Sequence, residues 1–330
     1  MLHYGVVGTG WITRSMIAGA AHYPELLQLT AVCSRTEERG RAFAAENGAP
    51  LVFTDPADMA RSDRVDMVYV ASPNACHMEQ CRLFLQAGKH VLCEKPLSAD
   101  PSQVAELQRL AAEKGLLFRE AIMLLYQPQL ALLEQAVKEC GRITAAHFQF
   151  CQFSSKYEAY RRGETPNIFN PALHTGALMD LGVYCVYPAL YLFGTPSRVQ
   201  ASAGLLRTGA DGWGTAVLPY ADKLVTLTYN KTAQGVAPSE ILGDAGSVTV
   251  DSISKLGGIR LHMHGQPSRE LYGTDDKDVL MGREIAAFAR SIESGQTAPN
   301  DKDYLALAVS RCMAEIRRQA GLRFPGVDEW

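Results

Sequence analysis

The chain has 330 residues, of which 47% are hydrophobic and 20% are charged, so it falls in the range of ordinary globular proteins. A chain of this length usually divides into two domains. Its 32 basic and 35 acidic residues give a net charge of −3 and form no blocks of like charge, which excludes the charge pattern of a nucleic-acid-binding or membrane-surface protein. We therefore expect a small-molecule partner, with no nucleic acid and no membrane.

The cysteines and the apolar runs indicate a location. The eight cysteines are scattered and include no C-x-x-C pair, which is typical of reduced thiols. No apolar run approaches the about 18 residues of a membrane helix, and the first one, 2–7, is too short for a signal peptide. These features predict a cytoplasmic protein without disulfides and without a metal site.

The first 120 residues alternate short apolar runs with amphipathic segments of helical length. Such runs, joined by helical crossovers, predict a doubly wound parallel sheet of the Rossmann type. The predicted strands are 2–7, 29–33, 51–53, 65–71, 90–93 and 116–119.

After about residue 120 the pattern changes. Alternating segments follow one another without helices of crossover length between them, which predicts a mostly antiparallel sheet. The chain is therefore expected to be α/β, with a nucleotide-binding domain over 1–120 and an α+β domain for substrate binding and oligomerisation over 121–330. In this second part the predicted helices are 127–139, 177–193, 282–294 and 302–320, and the predicted strands are 143–153, 224–229, 247–250 and 259–264.

The first predicted strand runs into a glycine-rich turn and then a helix, which is the setting of a dinucleotide fingerprint. Gly8 permits the tight turn, and Gly10 lets the backbone approach a pyrophosphate at the helix N-terminus. Thr13 stands where the fingerprint has a third glycine or alanine. The residues predicted to bind the cofactor here are Gly8, Thr9, Gly10, Trp11 and Ile12.

The end of the second predicted strand decides between NAD and NADP. A carboxylate there hydrogen-bonds the ribose 2′-hydroxyl of NAD, whereas an arginine accommodates the 2′-phosphate of NADP. The sequence has no acid at this strand end and instead reads Ser34-Arg35, with Arg39 one turn into the next helix. The predicted cofactor is therefore NADP, bound by these three residues, with NAD as the alternative.

Two further segments follow the fourth and fifth predicted strands. Ligands of open α/β sheets bind at the carboxyl ends of the strands, so both segments are candidates for cofactor binding. The predicted contacts are Ser72, Pro73, Asn74 and His77 in one segment, and Glu94, Lys95 and Pro96 in the other.

Together with the segment 176–184, these motifs resemble the Gfo/Idh/MocA family of NAD(P)-dependent oxidoreductases. The motifs are closest to the branch of the dihydrodiol dehydrogenases and glucose-fructose oxidoreductase. The resemblance covers nearly the whole chain, and its most specific parts are the glutamate-lysine-proline segment 94–96 and the segment 180–184. It implies a Rossmann domain, and a second domain whose open antiparallel sheet forms a homodimer or homotetramer. It also implies hydride transfer at a hydroxyl or carbonyl carbon of a sugar, polyol or cyclic diol.

The resemblance also implies roles for single residues. Lys95 matches the active-site lysine of the family, Pro96 a proline commonly preceded by a cis peptide bond, and Asp180 the substrate-side aspartate. Tyr184 stands where most members have histidine. His174 replaces a small residue of many relatives, and it is predicted with Asn167 to contact the substrate.

The chemistry of these residue types agrees with such roles. Asp180 and Tyr184 are four residues apart on a predicted helix and therefore share one face. Tyrosine is a poor base at neutral pH, but a nearby lysine ammonium favours its phenolate form. We therefore predict that Tyr184 is the acid/base, that Lys95 is its electrostatic partner, and that Asp180 orients substrate hydroxyls or Lys95.

Two other functions compete with the dehydrogenase. An NAD-dependent glycoside hydrolase would oxidise its sugar only transiently, and a catalytically silent regulator would bind the nucleotide without turnover. Arg35 argues against the hydrolase, and the intact set Lys95, Asp180 and Tyr184 argues against the regulator.

Three further motifs favour structural roles. Tyr187 and Tyr191 continue a helical stripe with Tyr184 and are expected to be core residues. His262 and His264 alternate on a predicted strand and are expected on a solvated or oligomer-facing side, not at a metal.

Overall fold

The structure, a computed structural model, describes residues 1–328. The chain folds into two compact units. The first unit contains residues 1–98, 102–126 and 276–304, and the second contains 99–101, 127–275 and the remainder from 305. This division differs from the predicted boundary at residue 120, because a segment near the C-terminus groups with the N-terminal unit.

The first unit confirms the Rossmann prediction. Its six strands are β1 (Leu2–Val7), β2 (Leu27–Cys33), β3 (Leu51–Phe53), β4 (Met67–Val70), β5 (His90–Glu94) and β6 (Phe118–Ala121). They form one parallel sheet in the order β3-β2-β1-β4-β5-β6, so the strand order reverses between β1 and β4. All four residues of β4 are buried, because helices cover both faces of the sheet.

Five helices connect these strands, and a sixth packs against them from the distant segment. They are α1 (Trp11–Ala20), α2 (Glu37–Asn47), α3 (Pro56–Ala60), α4 (His77–Gln86), α5 (Pro101–Glu113) and, from the distant segment, α9 (Lys277–Glu293). Helix α9 crosses α1 where Gly19 meets Gly282. A Cβ atom on Gly19 would lie 2.6 Å from the backbone nitrogen of Gly282, so the two backbones touch without side chains between them. This approach explains why 276–304 belongs to the first unit.

The second unit is built on one eight-stranded sheet. Its strands are β7 (Ile143–Cys151), β8 (Gln200–Leu205), β9 (Asp211–Pro219), β10 (Leu224–Asn230), β11 (Ser239–Gly243), β12 (Gly246–Ser252), β13 (Gly257–Met263) and β14 (Arg269–Tyr272). Their order in the sheet is β14-β13-β12-β11-β7-β10-β9-β8. All neighbours are antiparallel except β7 and β10, which are parallel, so the prediction of a mostly antiparallel sheet is confirmed.

One face of this sheet is buried and the other is partly open. Along β10, the buried residues Val225, Leu227 and Tyr229 alternate with the half-exposed Thr226 and Thr228. The helices of the unit are α6 (Gln129–Glu139), α7 (Tyr157–Arg161) and α8 (Val183–Phe193), and α10 (Asp301–Ala320) runs from the first unit into the second.

The predicted helix 177–193 consists of two parts. It begins with a π-helical turn, Leu178–Gly182, and continues as α8. The stretch Pro171–Phe193 is the one part of residues 1–328 that is long and apolar enough to match a membrane span. Its most apolar window is 72% buried within the fold, which is how a core helix is packed.

Candidate functional site

The glycine-rich turn between β1 and α1 has the backbone that a dinucleotide requires. Gly8 has a φ of 103°, and a Cβ atom there would lie 2.5 Å from the carbonyl oxygen of Ala71 in the loop after β4. Gly10 precedes α1 and has open space where a Cβ would point. The first turn of α1 carries no acidic side chain, so its free N–H groups and helix dipole fit a pyrophosphate.

The side chains around this turn range from fully buried to exposed. Thr13 is fully buried and its hydroxyl oxygen has no hydrogen-bond partner within residues 1–328, so threonine fills the position of the third glycine. Thr9 is also buried and Ile12 is half-buried. Trp11 is 67% exposed, and the Nζ atom of Lys277 lies 3.9 Å from the centroid of its indole ring.

The end of β2 retains two free positive charges. Ser34 is buried, and its backbone N–H donates to the carbonyl of Phe53. Arg35 and Arg39 are exposed, and neither forms an ion pair with any residue in 1–328, whereas Arg41 pairs with Glu37 of the same helix. These residues fit the 2′-phosphate of NADP better than the 2′-hydroxyl of NAD.

His77 joins the two loops that the sequence selected. Its Nε2 atom lies 2.9 Å from the carbonyl oxygen of Ser72, and its Nδ1 atom lies 3.1 Å from that of Pro96. Burial lowers the pKa of this imidazole. The ring is 1% exposed and lies between these two carbonyl oxygens, so it holds the two loops together, and its contact with the cofactor stays a prediction. Pro73 and Asn74 of the same loop remain half-exposed.

Glu94 likewise points into the protein. Its carboxylate accepts a hydrogen bond from the hydroxyl of Tyr69 inside the first unit. Burial raises the pKa of Glu94, and the neighbouring Lys95 opposes that shift. Glu284 is 1% exposed, and burial together with the charge of Glu94 holds the pKa of Glu284 well above its ordinary value. Glu94 and Glu284 are thus two buried acids that influence each other, and the contact of Glu94 with the cofactor stays a prediction.

The peptide bond between Lys95 and Pro96 is cis, as the resemblance implies. The two residues follow β5 directly, so their backbone lies at the carboxyl edge of the parallel sheet. The glycine turn and the loop after β4 also lie at this edge, where open α/β sheets bind their ligands, so within the first unit the three segments form one candidate site.

In the second unit, Asp180 and Tyr184 come from the π turn and the first turn of α8. Tyr184 is 9% exposed and its ring meets Phe150 edge-to-face, with centroids 5.7 Å apart. The carboxylate of Asp180 forms an ion pair with Lys231, which follows β10. The sequence analysis missed Lys231, because a lysine after a strand carries no local sign of its partner.

His174 and Asn167, the two predicted substrate contacts, both interact with other parts of the second unit. The ring of His174 stacks on Phe324, with centroids 5.4 Å apart, and its Nε2 atom lies 3.3 Å from the carbonyl oxygen of Pro325. The backbone carbonyl of Asn167 accepts a hydrogen bond from the hydroxyl of Thr175. The ring of His174 therefore contacts the C-terminal segment, and the substrate contacts of His174 and Asn167 stay predictions.

The remaining predicted groups lie as follows. Tyr187 is fully buried and Tyr191 donates to Glu134, in agreement with structural roles. His262 lies on the half-exposed face of the sheet and bonds Thr249. All eight cysteines are free thiols, and residues 1–328 contain no group of three or more His, Cys, Asp or Glu side chains that could hold a metal ion.

Comparison with known proteins gives the class. Residues 2–121 match the model of the oxidoreductase family with an NAD-binding Rossmann fold, GFO_IDH_MocA, and residues 133–249 match the GFO/IDH/MocA C-terminal domain. The chain therefore belongs to the Gfo/Idh/MocA family of oxidoreductases. This result confirms the predicted family, fold class and enzyme class.

Individual relatives match over nearly the full length. The chain is 38% identical over 329 residues to the uncharacterized oxidoreductase YgjR of Escherichia coli, covering 98% of each protein. It is 36% identical over 326 residues to scyllo-inositol 2-dehydrogenase (NADP(+)) IolU of Bacillus subtilis, covering 98% of this chain and 99% of that one. A 3-ketoreductase of Actinomadura kijaniata, solved in complex with NADP, superposes with a TM-score of 0.81 at 25% identity and 97% coverage of both chains. These relatives agree with the predicted cofactor, NADP.

Proposed function

We propose that the protein is an NADP-dependent oxidoreductase that transfers a hydride between the nicotinamide and a hydroxyl- or carbonyl-bearing carbon of a sugar, polyol or cyclic diol. The observation that carries the proposal is the end of β2, where Arg35 and Arg39 have no ion-pair partner within residues 1–328, in a chain of this oxidoreductase family. The Bacillus relative supports the substrate class, since it is an NADP(+)-dependent inositol dehydrogenase.

The cofactor would be held along the carboxyl edge of the parallel sheet. The backbone of 8–12 would bind the pyrophosphate, and Arg35 and Arg39 would bind the 2′-phosphate. Segments 72–74 and 95–96, at the carboxyl ends of β4 and β5, would border the nicotinamide half. When bound, NADP supplies the acceptor or the donor of the hydride.

The side chains of the protein would transfer the proton of the substrate hydroxyl. In oxidation, the carbon loses its hydride with the bonding pair, the substrate O–H proton passes to the phenolate oxygen of Tyr184, and the C–O bond becomes a carbonyl. In reduction, Tyr184 returns that proton to the forming alkoxide. Lys95, which matches the active-site lysine of the family, would be the electrostatic partner that favours the phenolate form of Tyr184. Asp180 would accept a hydrogen bond from a substrate hydroxyl.

The test is the substitution Tyr184→Phe. We expect kcat to fall at least about 100-fold, because general acid–base catalysis contributes about 10²- to 10⁴-fold. Steady-state NADPH absorbance with scyllo-inositol and a panel of sugars and diols measures the effect. Tyr191→Phe is the matched control, since its hydroxyl bonds Glu134 on α6, and it should retain nearly full turnover. A Tyr184→Phe enzyme with most of its turnover would remove the tyrosine from the mechanism.

The same assay separates the dehydrogenase from the two competing functions. An oxidoreductase changes the NADPH absorbance stoichiometrically with substrate. A hydrolase that restores its NAD in each cycle shows no net change, and a silent regulator shows no turnover at all. We expect one NADPH formed or consumed for each substrate converted.

We also propose that the protein acts as a cytoplasmic homodimer or homotetramer that assembles through the half-exposed face of the second sheet. The exposed apolar side chains of that face support the assembly, since they include Trp213 at 44% exposure and Leu224 at 47%. The eight free thiols support a reducing compartment.

A further inference from the structure

A buried lysine lies behind the carboxylate of Asp180 in the second unit. The side chain of Lys231 is 4% exposed, whereas that of Asp180 is 33% exposed. A buried ammonium group without a partner is strongly disfavoured, so the ion pair with Asp180 is what permits a charged lysine at this depth. The pair therefore presents the carboxylate, and not the ammonium, at the accessible side.

The backbone fixes Lys231 at this position. Its N–H donates to the carbonyl of Gly212 on β9, at 2.8 Å. The side chain of Asn230 accepts hydrogen bonds from the backbone N–H groups of Thr232 and Ala233, at 2.7 and 3.0 Å, and so shapes the turn that follows β10. Lys231 is thus held at the junction of two central strands.

Asp211 connects the same lysine to the π turn. Its carboxylate is buried and accepts a hydrogen bond from the N–H of Leu178, at 2.7 Å, which begins the turn that carries Asp180. Burial raises the pKa of Asp211 to about 6, and the charge of Lys231 opposes the shift. The ammonium group of Lys231 therefore interacts with two carboxylates, that of Asp211 at the start of the π turn and that of Asp180 within it.

We propose that Lys231 is a positioning residue of the reaction, which holds the ionised carboxylate of Asp180 in place to receive a hydroxyl group of the substrate. This assignment rests on the function proposed above. Lys231 acts through Asp180 and makes no contact with the substrate. Without the ammonium, the carboxylate of Asp180 would lose the ion pair that fixes its direction.

The experiment is a double-mutant cycle with Lys231→Met, Asp180→Asn and the combined variant. The first step identifies the best substrate of the wild-type enzyme among scyllo-inositol, sugars and diols with NADP(+). We expect Lys231→Met to lower kcat/KM about 30-fold, mainly through a higher KM for the substrate, with the Kd of NADP(+) within about twofold of the wild type. The combined variant should match Asp180→Asn within about threefold, because Lys231 acts only through that carboxylate.

Two further variants guard against a structural explanation. Lys231→Arg keeps the charge and should recover at least about a third of the wild-type kcat/KM, and adding it to Asp180→Asn should cause no further loss. Lys223→Met is the matched control, because Lys223 lies in the turn of the same β9–β10 hairpin, at the other end of β10, and pairs with Asp222. This substitution should leave kcat/KM unchanged. If circular dichroism shows that Lys231→Met does not fold, the two variants that carry Lys231→Arg, with and without Asp180→Asn, decide the question.

The outcomes separate this assignment from the function on which it rests. Losses that multiply in the combined variant, or full activity of Lys231→Met, overturn the role of Lys231 and leave the proposed function standing. A wild-type enzyme that oxidises no member of the panel overturns the proposed function, and the role of Lys231 with it.

Discussion

Arg35 carries the strongest residue-scale claim about the cofactor, because no residue within 1–328 neutralises its guanidinium group. We expect Arg35→Ala to raise the Kd of NADP(+) about tenfold or more and to change the Kd of NAD(+) less than about twofold. A hydrogen bond to a charged group contributes about 1.5–3 kcal/mol, and about 1.4 kcal/mol corresponds to a factor of ten. Titration calorimetry measures both constants.

The control for this prediction is Arg41→Ala. Arg41 lies on the same helix but pairs with Glu37, so its removal should leave the affinity for NADP(+) unchanged. Tighter binding of NAD(+) than of NADP(+) by the wild-type protein would contradict the assignment of Arg35.

Asp211 gives a second prediction at this scale, on stability. Burial raises its pKa in the folded protein to about 6, above the value near 3.9 of an unfolded aspartate. Between these values the folded state holds a proton that the unfolded state has lost, so stability falls as pH rises. We expect this group to lower the free energy of unfolding by about 2 kcal/mol between pH 4 and pH 6.

The substitution Asp211→Asn isolates that effect. Asparagine keeps an oxygen that can accept from the N–H of Leu178 and has no charge to bury. Urea unfolding of both proteins at several pH values should show that the difference between them grows from pH 4 to pH 6 in favour of the variant. A constant difference would show that Asp211 keeps its ordinary pKa.

The sequence analysis selects those candidate site residues whose signal is local. Gly8 and Gly10 lie between a strand and a helix, and Lys95 lies in a short motif, so neighbours in the sequence identify them. His77 and Glu94 belong to the same motifs, but their side chains turn inward, and burial is not visible in a motif. Lys231 depends on a partner 51 residues away and has no local signal at all.

At the scale of elements, strand prediction succeeded where strands are apolar throughout. The bounds of β1 and β3 match the predicted ones, and in β1 the last four residues are buried. Four strands of the second sheet were missed. β8 consists largely of small residues and β14 is mostly polar and exposed, so neither shows a clear alternation, and β9 and β11 were missed as well.

The entry to α8 shows a second limit. The sequence predicts one regular helix over 177–193, whereas the first five residues after Ala177 form a π turn. A π turn adds a residue to the helical repeat and is frequent at functional sites. Its first N–H, that of Leu178, donates to the carboxylate of Asp211 on β9, which is a contact outside the segment. Periodicity within the helix therefore cannot reveal it.

The segment after α10 supplies the element-scale prediction. Phe324 is 2% exposed, and its ring contacts the ring of His174 and the guanidinium of Arg317, whose Cζ atom is 4.9 Å from the centroid of Phe324. We expect Phe324→Ala to lower the free energy of unfolding by about 3 kcal/mol, the usual loss for a buried phenylalanine. Urea denaturation measures it.

The matched control is Phe153→Ala, an aromatic residue of the same unit that is 41% exposed. Its loss should stay below about 1 kcal/mol, because little apolar surface leaves the interior. Equal losses for the two variants would mean that the segment around Phe324 contributes no specific packing.

For the whole molecule, the division into units follows from packing that composition does not show. The predicted boundary near residue 120 rests on a change of pattern along the chain, and the chain does leave the first unit at Tyr126. It returns at Asp276, where α9 packs on α1 through Gly19 and Gly282. Both glycines look like weak points of a helix in the sequence, and only the close approach of the two backbones explains them.

The half-exposed face of the second sheet gives the prediction for the whole molecule. Trp213 and Leu224 expose 44% and 47% of their surfaces on strands whose other face is fully buried. Exposed apolar side chains at both ends of the β9–β10 pair favour association, and a sheet face can pair with its own copy about a twofold axis. We expect light scattering to give two or four times the chain mass of 36.0 kDa, and Trp213→Lys to shift the protein toward the monomer.

Tyr304→Lys is the control for this substitution, because Tyr304 is 64% exposed and lies on helix α10, which is not part of the sheet. Both variants add the same charge at an exposed aromatic residue, so a general effect of charge on association would move both. A shift for Trp213→Lys alone assigns the interface to the sheet. A wild-type monomer at micromolar concentration would instead mean that this face meets solvent, and that the alternation along β9 and β10 reflects burial on one side only.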